Sequence, residues 1–175
     1  MEWVDASIEN CPVSAAVEII GERWTLLIVR DALNGIHRFE DFRAHLGVSD
    51  AVLADRLRKL VDAGVLERRP YREAGRRTRD EYHPTRRGSE LMTVTAALRQ
   101  WGADHLADVA APAFVARHQG CGGTVSVELR CTQHADETLS PDEVHVVPGP
   151  AARPADRLLP SRLSEGPTGT RDDHA

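Results

Sequence analysis

Cysteine is scarce in this 175-residue chain. The three present, Cys11, Cys121 and Cys131, are an odd number, which argues against a disulfide framework and leaves each to be explained singly. No apolar run approaches the roughly 20 residues of a membrane span. The opening "MEWVDASIEN" lacks the basic-then-apolar layout of a signal peptide, so the expectation is a cytoplasmic protein with reduced thiols and no membrane partner. Also missing are a nucleophile elbow, a phosphate loop and an H-E-x-x-H metal-base motif, and the scattered Cys, His and Asp residues form no catalytic constellation. An enzyme is not expected. There is no internal repeat. What is there, 41% hydrophobic and 28% charged residues, suits one compact core with appendages.

Charge is unevenly spread. The formal net charge is −5, yet residues 67–87 read "ERRPYREAGRRTRDEYHPTRR". From Arg56 to Arg87, eleven basic residues face five acidic ones, a local net of +6 that holds half of the 22 Lys and Arg. Such an island is either a solvated arginine-rich loop or the footprint of a polyanion. Its neighbours decide between these. The tail differs again: six of the ten prolines lie from Pro141 onward, with too few apolar anchors to offset ordering entropy.

The body reads as helices with a change of period. Pro12 after Cys11 starts a helix in which Ala16, Val17 and Ile20 share a face up to Gly21. Trp24, Leu27, Ile28 and Ala32 form the next stripe, stopped by Asn34-Gly35, and Phe39, Phe42 and Leu46 form a third, stopped by Gly47. Ser49 is a candidate N-cap for a helix that runs to Ala63 before Gly64. There Leu53, Leu57 and Leu60 must face a core, while Ala51, Asp55 and Arg58 project from the reverse, with Ala54 and Lys59 at its edges. Arg56 flanks the leucines, so its stem is expected to pack and its head to be free. "VLERRPY" and "RDEYHPT" then flank "REAGRRT", a β-hairpin pattern with Gly75 at an arginine-laden tip and Glu67 and Glu81 pairing with arginines at its base. Thr85 is expected to cap one long helix with Leu91, Val94, Leu98, Trp101 and Val109 on a stripe up to about Pro112.

Helix, helix, capped helix and basic hairpin, in that order, make a winged helix-turn-helix. The fold expected is mainly α with a small β-hairpin wing, plus a small β-containing C-terminal extension. The capped helix would lie in a major groove, with Ser49 and Asp50 at its start and Ala51, Ala54, Asp55, Arg58 and Lys59 along its outer face. Ala51 suits a thymine methyl, Asp55 could accept from cytosine, and Arg58 could donate to guanine or phosphate. Arg69, Arg72, Arg76, Arg77 and Arg79 of the hairpin, and Arg38 before the third helix, would meet phosphates or the minor groove, or else be ordinary exposed arginines.

The pieces "CPV", "IIGERWTLLIVRDAL", "GIHRFEDF", "VSDAVLADRLRKLVDAGVLERRPY", "REAGRRTRDEYHPTRRGSEL" and "LRQWGADHL" occur in an order that resembles the HxlR-type transcriptional regulators, MarR-like winged-helix dimers. The likeness covers about two thirds of the chain. It implies a homodimer assembled through terminal helices and a double-stranded, palindromic operator bound by the capped helix and wing. It also implies that Cys11, at the "CPV" position, is a sensor of oxidants or electrophiles in some members. Two departures stand out: "AGRRT" lacks a proline frequent in the wing, and His83-Pro84 replaces an aliphatic residue before Thr85. A thiol at a helix N-terminus has its thiolate stabilised by unpaired amides, with Arg23 placed to add to this; the alternative is a small packed residue. Trp24 is expected as simple core, Trp101 and its stripe as core or dimer interface, and His105 as a packed histidine.

In "ARHQGCGGTVSVELRCTQHADE", His118 with Cys121 and Cys131 with His134 have zinc-knuckle spacing. Gly122 permits the turn after a ligand, and Val125, Val127 and Leu129 alternate between the pairs. A structural zinc and a metal-free β-appendage both remain open; no other cofactor is required. The expected organisation is a winged domain over 1–115 with its dimerisation helices, the extension over 116–150, and a disordered tail over 151–175. The leading function is a sequence-specific DNA-binding regulator, a homodimeric repressor tuned by a thiol-reactive species or another small-molecule effector. The alternatives are a winged-helix protein-interaction module and a metal-responsive regulator using the Cys/His set.

Overall fold

The computed structural model describes residues 5–75, 77–106 and 114–155. They fall into two units. One comprises residues 12–146; the other joins the chain up to Cys11 with the chain from Val147. In the second unit Ala6 bridges Pro154 in antiparallel fashion, Ser7 N donates to the Arg153 carbonyl and Ala155 N to the Asp5 carbonyl. The expected boundaries at 115/116 and 150/151 do not coincide with these units, in which residues 153–155 pair with 5–7. The rest of the expected disordered tail, 156–175, lies outside the described residues.

The larger unit begins with α1 (Pro12–Ile20), α2 (Arg23–Leu33), α3 (Phe39–Leu46) and α4 (Asp50–Asp62). Each starts and stops where the periodicity and glycines place it. The core forms where their stripes meet: Ile28, Val29 and Ala32 of α2, Phe42 of α3, and Leu53, Leu57 and Leu60 of α4, joined by Val48, Val65 and Leu66. The three leucines are at most 1% exposed, and full burial of each stabilises by about 1.5–3 kcal/mol. Trp24 packs against this core and carries the Arg23 guanidinium 4.7 Å from its ring centroid.

Ser49 occupies the N-cap position of α4 with extended backbone, but its side chain makes no cap hydrogen bond, so the expected hydroxyl cap is absent. Gly64, at φ 67°, reverses the chain into β1 (Leu66–Tyr71) without the Cβ cost of the left-handed region. β1 pairs antiparallel with β2 (Arg79–Pro84), with Leu66 opposite Pro84 and Tyr71 opposite Arg79. Gly75 turns the hairpin tip at φ 77°.

Beyond the hairpin the single long helix is not found. A short α5 (Arg86–Ser89) precedes α6 (Met92–His105). Thr85 does cap, accepting from Gly88 N at 3.1 Å while donating to the Gly64 carbonyl at 2.7 Å. The interruption falls beside a close tertiary contact. Gly88, within α5, lies so close to the wing's root that a Cβ there would sit 2.1 Å from the Val65 carbonyl oxygen. Arg87 donates to the Ala63 carbonyl at 3.0 Å, tying the same turn to the end of α4. Val109 and Pro112 lie outside the described residues.

α6 leaves Val94, Leu98 and Trp101 exposed, Trp101 by 58%, so the stripe is surface among the described residues. His105, expected to be packed, is exposed, its ring 5.4 Å from that of Trp101. In the extension, regular strand is limited to β3 (Leu129–Arg130) against β4 (Thr138–Leu139), followed by a 3-10 turn at Pro141–Glu143. The longer alternation from Val125 is not realised: the Val127 backbone bonds instead to the side-chain amide of Gln100, at 2.8 and 3.1 Å. Among the described residues no helix is long and apolar enough to cross a membrane.

Candidate nucleic-acid interface

With its leucines inward, α4 turns Ala51, Ala54, Arg58 and Lys59 outward, all exposed, beside the hairpin. Asp50 at its start is exposed and accepts from Arg43 of α3 at 3.3 Å. Asp55 lies among the cations. Lys59 at 3.2 Å, Arg58 and then Arg56 hold its carboxyl below the usual carboxylate range, and both oxygens are occupied. It is therefore no open acceptor for cytosine. Nor is the Arg56 head free: its stem packs, as expected, but its guanidinium pairs with Glu22 and with Asp55, and its Nε is buried without a hydrogen bond.

The expected DNA-contacting arginines divide into two kinds. Arg38 donates to Glu81 at 3.0 Å and Glu73 at 2.9 Å, and its guanidinium lies 4.5 Å from the Tyr71 ring centroid. Arg79 pairs with Glu40, and Arg69 with Glu67 at 2.7 Å. Glu67 and Glu81 thus pair as the sequence suggested. Arg38 is better described as a strut: with the Arg38–Glu81 bridge and Tyr82 N donating to the His37 carbonyl at 2.7 Å, it fixes the hairpin against the start of α3. Arg72 and Arg77, by contrast, are exposed at the tip and carry no ion pair among the described residues. Arg76 lies outside them. Arg68, which the sequence reading passed over, is also exposed on β1; alternation along the strand could have identified it.

A histidine pair sits at the hairpin's root. The His37 and His83 rings are 4.0 Å apart, and His83 Nε2 lies 2.9 Å from Glu81. Burial and then the charge of His83 push the His37 pKa below its ordinary value, with Arg69 adding to this and the Ala32 carbonyl and Glu81 opposing it. The His83 hydrogen bond, then Arg38, hold the Glu81 carboxyl low. A depressed histidine means the unfolded chain binds more protons between the folded value and about 6.5, so stability falls as pH drops through that window. Glu81 adds a loss in the same direction below the ordinary carboxylate range. Thermal melts should therefore show a falling midpoint from pH 7.5 to 5.5, and His37→Gln should flatten that dependence; an equal slope in the variant would rule out His37 as its source.

Sequence reasoning also missed Asp31. Buried within the α2 stripe, it accepts from Arg30 at 2.6 Å and lies 2.7 Å from His45 Nδ1, joining α2 to α3. An acid amid core positions was the available signal.

The four candidate metal ligands are not gathered. His118 Nδ1 lies 3.3 Å from Cys121 Sγ, with Gly122 at φ 72°, whereas His134 N donates to the Cys131 carbonyl in a separate turn. A tetrahedral zinc needs four donors, and among the described residues no group of three or more His, Cys, Asp or Glu is arranged to hold a metal ion. Cys11 is a partly buried free thiol directly before α1.

Comparison with known proteins accords with this geometry. The profile of the HxlR-like helix-turn-helix family matches residues 19–110. The uncharacterized HTH-type transcriptional regulator Rv3095 of Mycobacterium tuberculosis is 38% identical over 142 residues, covering 81% of this chain and 88% of its own. YvaP of Bacillus subtilis, named likewise, is 36% identical over 98 residues, covering 55% and 89%. Among solved structures, PA1607, a candidate transcription factor, superposes with a TM-score of 0.68 at 33% identity, covering 79% of this chain and 95% of that one. PA1374 from Pseudomonas aeruginosa gives 0.55 at 34% identity, covering 82% and 95%.

Proposed function

The chain belongs to the HxlR-like helix-turn-helix family, and from that premise we propose that this regulator is a homodimeric repressor reading a palindromic operator through α4 while its wing holds the flanking phosphates. The family is one of transcriptional regulators, not enzymes. The observation that carries the reading is joint presentation. The inward leucines of α4 fix Ala51, Ala54, Arg58 and Lys59 outward, and the hairpin that follows carries Arg72 and Arg77 exposed at its tip. Titration of a labelled duplex across a salt series tests it: affinity should fall steeply with salt, and the selected duplex should outcompete random DNA. Salt-insensitive binding, or none, would favour the protein-interaction alternative.

A second copy suits the exposed apolar residues of α1 and α6, Val13, Val17, Val94, Leu98 and Trp101. Trp101→Asp should yield a monomer in sedimentation and weaken operator binding about thirtyfold or more, as expected for loss of a central aromatic anchor. A variant that stays dimeric would remove α6 from the interface. Effector input belongs to Cys11 or to a cleft of about 260 Å³ lined by Ala16, Ile19, Ile20, Val65 and Leu91, with Arg87 and Glu90 among its lining. A metal-responsive variant of this reading rests on the His118–Cys121 contact alone and stands or falls on the zinc content of the purified protein. The cytoplasm is the compartment the reading requires.

A further inference from the structure

We propose that Asp55 is a specificity-determining residue of α4, which holds Arg58 and Lys59 in its own carboxylate and so weakens binding to random duplex while aiming Arg58 at a base edge. The inference rests on the DNA-binding reading above and deepens it. Leu53, Leu57 and Leu60 define the buried side of the helix, so by helical spacing Asp55 lies near the middle of the opposite face, with Ala51 one turn before it and Arg58 one turn after. An acid at the centre of a surface meant for a polyanion opposes binding unless it does something else there.

The contacts identify that role. Asp55 Oδ1 accepts from Arg58, and Oδ2 accepts from Lys59 at 3.2 Å and from Arg56 at 3.2 Å. Arg56 in turn is pinned by Glu22 at the start of α2, and only 17% of its side chain is exposed. Asp55 is thus anchored from behind through the chain Glu22–Arg56–Asp55, and Arg58, 60% exposed, is held from its inner side. A guanidinium held this way keeps other N–H groups for a planar acceptor pair and loses less freedom on docking. Against phosphates alone, the same carboxylate simply cancels charge. Acids at 50, 55 and 62 offset Arg56, Arg58 and Lys59 along α4, so the wing supplies the electrostatic attraction and the helix the discrimination.

The test uses the full chain, a duplex recovered by selection and a random duplex of equal length. Asp55→Asn should bind random duplex about fivefold more tightly near physiological salt, with a salt slope steeper by about one, while cognate affinity stays level or falls. The specificity ratio should therefore drop by about fivefold or more. Asp55→Glu, which keeps the charge, should hold random-duplex affinity near that of the parent, an outcome that damage to the fold would not produce. Should Asp55→Asn fold poorly, Asp55→Ser is read the same way. An unchanged ratio and slope in a folded variant overturns the inference and leaves the DNA reading standing. A parent chain that fails to discriminate between the duplexes overturns both.

Discussion

Replacing Arg72 and Arg77 together with glutamine is expected to weaken cognate and random duplex binding by the same factor, roughly twenty-five-fold near physiological salt. The figure follows from counterion release: one lost phosphate contact removes about 0.9 from the salt slope and so costs roughly fivefold at that ionic strength. Both side chains are exposed at the hairpin tip without an ion pair among the described residues, so no described carboxylate has to be displaced from them. Arg69 and Arg79 should behave differently. Each is already paired with a carboxylate, Glu67 or Glu40, and must exchange one partner for another. Their replacement should change the slope by less than that of Arg72 or Arg77. A double variant that loses cognate affinity but keeps random affinity would assign base readout to the tip instead.

Gly88→Ala is expected to destabilise the winged unit by about 3 kcal/mol or more, at the upper end of overpacking costs. The added Cβ would meet the Val65 carbonyl oxygen at 2.1 Å, and backbone cannot step aside as a flexible side chain would. Val65 is itself constrained. It is buried in the core, and its carbonyl accepts from Thr85 N at 3.1 Å. Relief would have to separate α5 from the root of β1, undoing the Thr85 bonds to the Gly64 and Val65 carbonyls and the Arg87 contact to Ala63. Urea denaturation should show a lower midpoint with an unchanged slope; a midpoint within the error of the parent would mean that this turn is looser than the geometry requires.

Most of the architecture was legible because it depends on period. Residues three and four apart fixed the four leading helices, and glycines at 47, 64 and 75 marked stops and a turn that only a few conformations satisfy. The single long helix after Thr85 fails beside a non-local contact: Gly88, within α5, packs against the Val65 carbonyl 23 positions earlier in the chain, which no local window contains. The candidate interface was legible as residue types and not as states. Arg38, Asp55 and Arg79 are where the sequence places them, but their partners Glu73, Glu81, Lys59 and Glu40 turn contact residues into struts and buffers. Sequence spacing exposes pairs within a helix, such as Asp55 with Lys59, and hides those between elements, such as Arg79 with Glu40. The same holds for the extension, where two short-spaced Cys/His pairs are visible in the sequence but their separation in space is not.

Selection of bound duplexes from a random pool tests the central claim most directly, that the outward face of α4 and the hairpin are offered jointly to DNA. Recovery of an inverted repeat with half-site centres about one helical turn apart, 10–10.5 base pairs, is the predicted result. Recovery of no shared sequence, with binding that ignores salt, would contradict it.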